Sequence, residues 1–345
     1  MRALVVTGPH AAEVQQVADP VAGEGELLVR VERVGICGTD VELYTGEMAY
    51  IPQGFTHFPI RLGHEWTGRV IGTGSAADES WLGQRVTGDT MLGCGHCEYC
   101  SAGVHHVCPD RFEVGIRDGW PGALAEKVLV PTRFAHAVPE HVSVAAAALV
   151  EPGGNSLRAV QAAALRRGDS VLVLGSGTIG LLAAQFALAA GADVHVAGVR
   201  EDSLALAASL GVPHTSRLDE LDSSPDSRFD AVIDATSLPT SPALAVRLTK
   251  PAGRAVFIGL SETPSVLDTR ELVLKDVSAI GILSASPGLA GAIESFADGS
   301  VVPDGIVSEV IALEDVPSRL EGHRGAGAKA GPKVHVDPRL RPHSP

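Results

Sequence analysis

Chemistry in this chain has two candidate seats among its five cysteines, thirteen histidines and forty-one acidic residues. The first is a dispersed set: Cys37, the pair His64-Glu65 inside Gly63-His64-Glu65, and Glu151 far downstream. One soft thiolate, one imidazole and one or two carboxylates suit a catalytic zinc that keeps a position open for substrate or water. Each residue alone is ordinary, since a lone Cys after a strand is usually a small core residue. Their combination carries the reading. Glu151 ends a small-residue helix that begins at Ala145, and a carboxylate held inside after such a run needs a cation.

The second seat is compact. Cys94, Cys97, Cys100 and Cys108 follow one another at gaps of two, two and seven residues. Four thiolates so spaced let a short loop wrap a tetrahedral ion and leave no position for water, which defines a structural zinc. A redox Cys-x-x-Cys pair would use two thiols and leave two unexplained. His96, His105 and His106 read as solvated loop residues, because four cysteines already complete the coordination. Such a site supplies on the order of 10 kcal/mol of folding energy in isolated peptides.

A third motif points to a nucleotide. The apolar run Ser170–Leu174, expected of a strand buried on both faces, leads into Gly175-Ser176-Gly177-Thr178-Ile179-Gly180 and then an apolar helix from Leu181 to Leu188. Between strand and helix, these residues form a dinucleotide fingerprint in which backbone N–H groups and the helix N-terminus meet a pyrophosphate. The next strand, Asp193–Ala197, ends in Gly198-Val199-Arg200, where an NAD site wants an acid for the ribose hydroxyls. Gly198 removes the repelling carboxylate and Arg200 can fork onto a 2′-phosphate, which favours NADP(H). Glu201 and Asp202 follow, and a one-residue shift in the turn would present an acid, so NAD(H) stays open.

These groups need two domains to position them, and 345 residues exceed what a single core usually holds. Residues 1–150 carry short β-type runs punctuated by Gly and Pro, among them Met1–Val6 and Glu26–Val34. Residues 151–285 alternate strand and helix through Phe229–Asp234, Arg254–Gly259 and Val277–Ile282, the pattern of a doubly wound parallel sheet. After about residue 285 the chain is expected to return to the first domain, and 338–345 read as a loose tail. A net charge of −14 and 4% aromatics argue against nucleic acid and anionic membrane surfaces. The apolar stretch Thr178–Ala192 is too short to span a bilayer, and the N-terminus lacks the features of a signal peptide, so a cytoplasmic protein is expected.

Together, Cys37-Gly38-Thr39-Asp40, Gly63-His64-Glu65, the four-cysteine loop, Glu151-Pro152 and Gly175–Gly180 resemble the zinc-dependent medium-chain dehydrogenases/reductases. The combination is most similar to the sorbitol, threonine and glucose dehydrogenase branch. The resemblance covers nearly the whole chain. It implies an α/β protein with a GroES-like catalytic domain (1–150, completed by 286–345), a Rossmann domain between (151–285), and a homodimer or homotetramer. It further implies that Cys37 and His64 hold the catalytic zinc, with Glu65 and Glu151 binding directly or through the zinc water. Thr39 would take the substrate proton. Glu42 stands where liver-type relatives have a proton-relaying His, and Lys333 where relatives place a cation near the cofactor.

The expected activity is reversible oxidation of a secondary alcohol, polyol or sugar to its ketone, by Lewis-acid zinc and hydride transfer to the nicotinamide. Tyr44, Thr56, His57 and Trp66 are candidates to line the pocket, or plain packing. Two rivals share the scaffold: a reductase of C=C or C=N bonds, and a nucleotide-binding protein without catalysis.

Overall fold

The computed structural model describes residues 1–223, 227–323, 325 and 328–341. The chain divides into two compact units, Met1–Glu151 with Val307–Lys329 and Lys333–Pro345, and Pro152–Ile306 with Ala330–Pro332.

The first unit is built on a seven-stranded sheet. Its order is Val307–Ile311, Lys333–Val336, Glu26–Gly35, Glu65–Thr73, Arg85–Gly88, Ala135–Ala137, with Lys127–Pro131 also paired to Glu26–Gly35. Along Glu26–Gly35 the side chains of Leu27, Val29 and Val31 are buried in alternation, as a strand with one face on a core requires. A register shift between Val31 and Arg33 then changes the phase, so that Val34 also turns inward. Trp66, Leu62, Leu124 and Phe134 fill this core, and truncating Trp66 to Ala would cost about 3–5 kcal/mol.

The second unit is a six-stranded, wholly parallel sheet. Its strands are Ser170–Leu174, Asp193–Gly198, His214–Arg217, Phe229–Asp234, Thr249–Phe257 and Ser278–Gly281. Numbered in that sequence, their spatial order is 3-2-1-4-5-6, the doubly wound arrangement. The short polar strand His214–Arg217 has no apolar run to announce it. Pairing with Asp193–Gly198 is what makes it a strand.

Three expectations need correction. The return to the first unit comes at Val307, not near 286, because helix Leu289–Ala297 packs within the parallel-sheet unit, Phe296 stacking on Phe186. Glu151 does not end the small-residue helix, which stops at Ala148. Instead it lies in the first turn of helix Val150–Ala163, where the positive end of the helix dipole favours a carboxylate. Residues 338–340 are not loose, since the Arg2 guanidinium donates to the carbonyls of Pro338 and Leu340. Residues 342–345 lie outside the described residues. No described helix is long and apolar enough to cross a membrane.

Candidate functional site

The register of one strand pair assembles the dispersed set. Gly35 lies opposite Glu65, so Cys37, two residues past one strand end, meets His64, one residue before the other. Donor atoms of Cys37, His64 and Glu65 all fall within 4.8 Å of one another. His64 and Glu65 are buried, at 4% and 2% exposure. Gly35 must be glycine here: a Cβ on it would stand 2.2 Å from a Glu65 carboxylate oxygen.

Asp40 organises the corner and was not singled out by sequence. Its fully buried carboxylate accepts from the Cys37 N–H at 2.9 Å and the Gly63 N–H at 3.2 Å, and its Oδ1 lies 3.7 Å from His64 Nδ1. Burial raises the Asp40 carboxyl above its usual range. Burial also pulls the His64 imidazole down, but Asp40, Cys37 and Glu151 outweigh it and hold the ring well above its ordinary value. His64 Nδ1 has no hydrogen-bond partner among the described residues. A buried imidazole among a thiol and carboxylates is a donor set that a divalent cation satisfies, and the set fits zinc.

Glu151 lies outside the 4.8 Å set, buried at 7% exposure, with Thr90 Oγ1 at 3.5 Å from its Oε1. Lys333 Nζ donates to the Glu65 carboxylate, 2.8 Å from Oε1 and 2.6 Å from Oε2, and to the Ile36 carbonyl at 2.9 Å. The lysine therefore stands at the metal corner. The hydrogen bond from Ile36 N–H to the Val334 carbonyl brings the two segments together.

Thr39 sits in the first turn of helix Gly38–Thr45, half-exposed, directly after the Cys37 N-cap. Glu42, three residues on, shares its helix face. Of the pocket candidates, Tyr44, Thr56 and Trp66 are packing. Tyr44 stacks edge-on against His10, Thr56 donates to the Ile116 carbonyl at 2.7 Å, and Trp66 is 1% exposed. His57 is exposed.

In the four-cysteine loop, Cys94 and Cys100 sulfurs are 3.9 Å apart and those of Cys97 and Cys108 are 3.6 Å apart. A tetrahedron with Zn–S bonds of about 2.3 Å has edges of about 3.8 Å, so the four sulfurs fit zinc. Backbone N–H groups of His96 and Cys97 bring the Cys94 thiol down to about 6. Burial pushes the Cys100 thiol up to about 12, so a cation is needed to hold all four as thiolates. Of the neighbouring histidines only His96 is a solvated loop residue. His105 Nε2 lies 2.9 Å from buried Asp89, and His106 is buried, which anchors the loop to the sheet.

The glycine fingerprint forms the expected turn. Gly175 has φ +106°, and a Cβ on Gly180 would stand 1.9 Å from the Gly175 carbonyl. Helix Thr178–Ala189 starts directly after it, capped by Gly177. Ser176 Oγ lies 2.7 Å from Ser203 Oγ, and a Cβ on Gly198 would come within 2.3 Å of the same oxygen. Arg200 is 52% exposed in its side chain and bound to Asp202. Arg217, which sequence reasoning missed, lies opposite Gly198 in the adjacent strand, and its Nη1 donates to the Val199 carbonyl at 3.3 Å.

Comparison with known proteins agrees with this geometry. Residues 23–140 match the alcohol dehydrogenase GroES-like domain and residues 178–298 the zinc-binding dehydrogenase domain. The chain is 31% identical over 274 residues to an L-threonine 3-dehydrogenase of Coxiella burnetii, covering 76% of this chain and 78% of that one. It is 28% identical over 300 residues to a sorbitol dehydrogenase of Halalkalibacterium halodurans, covering 83% and 85%. A zinc-binding dehydrogenase of Sinorhizobium meliloti, solved bound to NADP, superposes with a TM-score of 0.89 at 29% identity, covering 98% and 99%. The chain belongs to the zinc-dependent medium-chain dehydrogenases/reductases of the alcohol dehydrogenase superfamily. It is an enzyme, an NAD(P)-linked oxidoreductase of alcohols or polyols.

Proposed function

We propose that this enzyme interconverts a hydroxylated secondary alcohol and its ketone with NADP(H), and that Cys37, His64 and Glu65 would hold its zinc, with Glu151 bonding to it directly or through its water. The observation that carries the reading is the convergence of those first three donor atoms within 4.8 Å. Bound there, zinc supplies Lewis-acid polarisation of the substrate oxygen. The chain does the rest. Asp40 fixes the Cys37 and Gly63 backbone, and Lys333 offsets part of the negative charge of the donor set, which favours negative charge developing on a substrate oxygen. The Thr39 hydroxyl takes up the substrate proton as it gives its own to Glu42 on the same helix face, which releases it outward. A second zinc in the four-cysteine loop is structural.

The cofactor preference rests on a strand end without an acid and with two guanidiniums. Gly198 leaves no side chain there, Arg200 flanks it, and Arg217, paired with Asp219 at 3.1 Å, lies across from it on a cavity of about 270 Å³ with Val199, Leu218, Asp219, Thr240 and Leu244. Asp202 is already committed to Arg200 and the Ser203 N–H. We also propose a homodimer through the edge strand Ser278–Gly281, paired on one side alone among the described residues, beside Leu260, Val266, Val273 and Leu274, each at least 79% exposed.

A panel of polyols, sugars and simple secondary alcohols, run with and without a zinc chelator, tests the activity. Turnover that survives loss of both Cys37 and His64 would refute it. Fluorescence titration should show NADPH binding more tightly than NADH, with Arg200→Ala and Arg217→Ala together erasing the gap. Light scattering should give a dimer that Leu274→Lys weakens.

A further inference from the structure

Arg61 carries a charge that neither metal corner nor cofactor turn uses. Its backbone is locked, because the carbonyls of Arg61, Leu62 and Gly63 accept N–H bonds from Gly122, Leu124 and Ala123 at 2.9, 2.9 and 2.8 Å. Its half-buried guanidinium has no hydrogen-bond or ion-pair partner among the described residues. That sets it apart from Arg2, Arg69, Arg85, Arg111 and Arg117 of the same unit, each of which holds a carboxylate.

Arg61 borders a cavity of about 190 Å³ with Glu26, Trp120, Pro121, Lys127 and Leu129. Of the other charges there, Lys127 pairs with Asp19, and Glu26 turns its Oε2 to the Gly23 N–H at 2.9 Å. Trp120 donates its indole N–H to the Leu129 carbonyl at 3.4 Å and so brings only apolar surface to the cavity. A partly desolvated guanidinium without acceptors is costly, and its planar fork matches a carboxylate in bidentate fashion. An apolar cavity of about 150 Å³ already accepts a benzene ring.

We propose that this cavity binds a small monocarboxylate with a planar apolar body, its carboxylate on Arg61 and its body against Trp120. The net charge of −14 opposes non-specific anion binding, so uptake of an anion reports a local site.

The test titrates the full-length, zinc-loaded protein with benzoate, and with benzamide as the neutral analogue of the same shape, by calorimetry and tryptophan emission. Benzoate should saturate at one per chain and bind at least tenfold more tightly than benzamide. Arg61→Gln should weaken benzoate at least tenfold, Arg61→Lys less, and Trp120→Phe should remove the emission change while heat remains. Non-saturating benzoate, equal affinity for benzamide, or undiminished affinity in Arg61→Gln would each overturn the proposal. The last of these would place the benzoate elsewhere, for example on the metal. Should Arg61→Gln fail to fold, the benzoate–benzamide comparison on the unmodified protein and the Arg61→Lys variant still decide the matter.

Discussion

The ammonium of Lys333 stands 2.6 and 2.8 Å from the two carboxylate oxygens of Glu65, with both side chains no more than 4% exposed. Burial pulls the lysine pKa down, but Glu65 and Cys37 outweigh it and hold it above its ordinary value, so the lysine keeps its charge. A carboxylate has about four lone-pair sites, so two bonds to Lys333 leave Glu65 able to face a metal. Removing one partner strands a buried charge. Lys333→Met is expected to cost about 3–5 kcal/mol in urea unfolding, and Glu65→Gln in the same background should recover part of it. Additive losses in that double-mutant cycle would mean that the two groups are not coupled.

Loss of the metal corner should separate chemistry from fold. Cys37→Ala and His64→Ala are each expected to lower kcat/KM by about a thousandfold or more, since several kcal/mol of charge stabilisation disappears. Cofactor titration should stay within about twofold of the unmodified protein, because the glycine turn belongs to the other unit. Elemental analysis should fall from two zinc atoms per chain to one.

The four-cysteine loop should behave in the opposite way. Cys97→Ser or Cys108→Ala removes a sulfur from a closed site, so zinc content again drops by one, but the loss appears in stability. Limited proteolysis is expected to cut between residues 94 and 108 first. A variant as protease-resistant as the parent would show that the loop folds without its ion.

His335 predicts an acid sensitivity. The ring is fully buried, both nitrogens lack partners among the described residues, and burial, reinforced by Lys333 and Arg33, holds its pKa well below the ordinary value. The unfolded chain takes up a proton below about pH 6.5 while the native state does not. Stability is therefore fully present above that pH and falls as pH drops toward the folded pKa, by up to about 1.4 kcal/mol per pH unit. His335→Leu should flatten that slope between pH 6.5 and 5, measured by urea midpoints. An unchanged slope would assign the acid loss to other groups.

Sequence alone determined the parts that depend on local spacing. Four cysteines within fifteen residues have few uses, and a glycine turn between an apolar strand and an apolar helix must bring backbone N–H groups to one point. The parallel strands were legible because burial on both faces demands continuous apolar runs, and His214–Arg217 was missed because an edge-side strand need not have one. Only the tertiary structure decided what depends on pairing across long separations. The Gly35–Glu65 register joins Cys37 to His64, and the Val334–Ile36 hydrogen bond brings Lys333 onto Glu65 from nearly three hundred residues away. Likewise Arg217 and Arg61 are common residue types in ordinary surroundings along the chain. What distinguishes them is which groups surround their charge, and that is set by the fold.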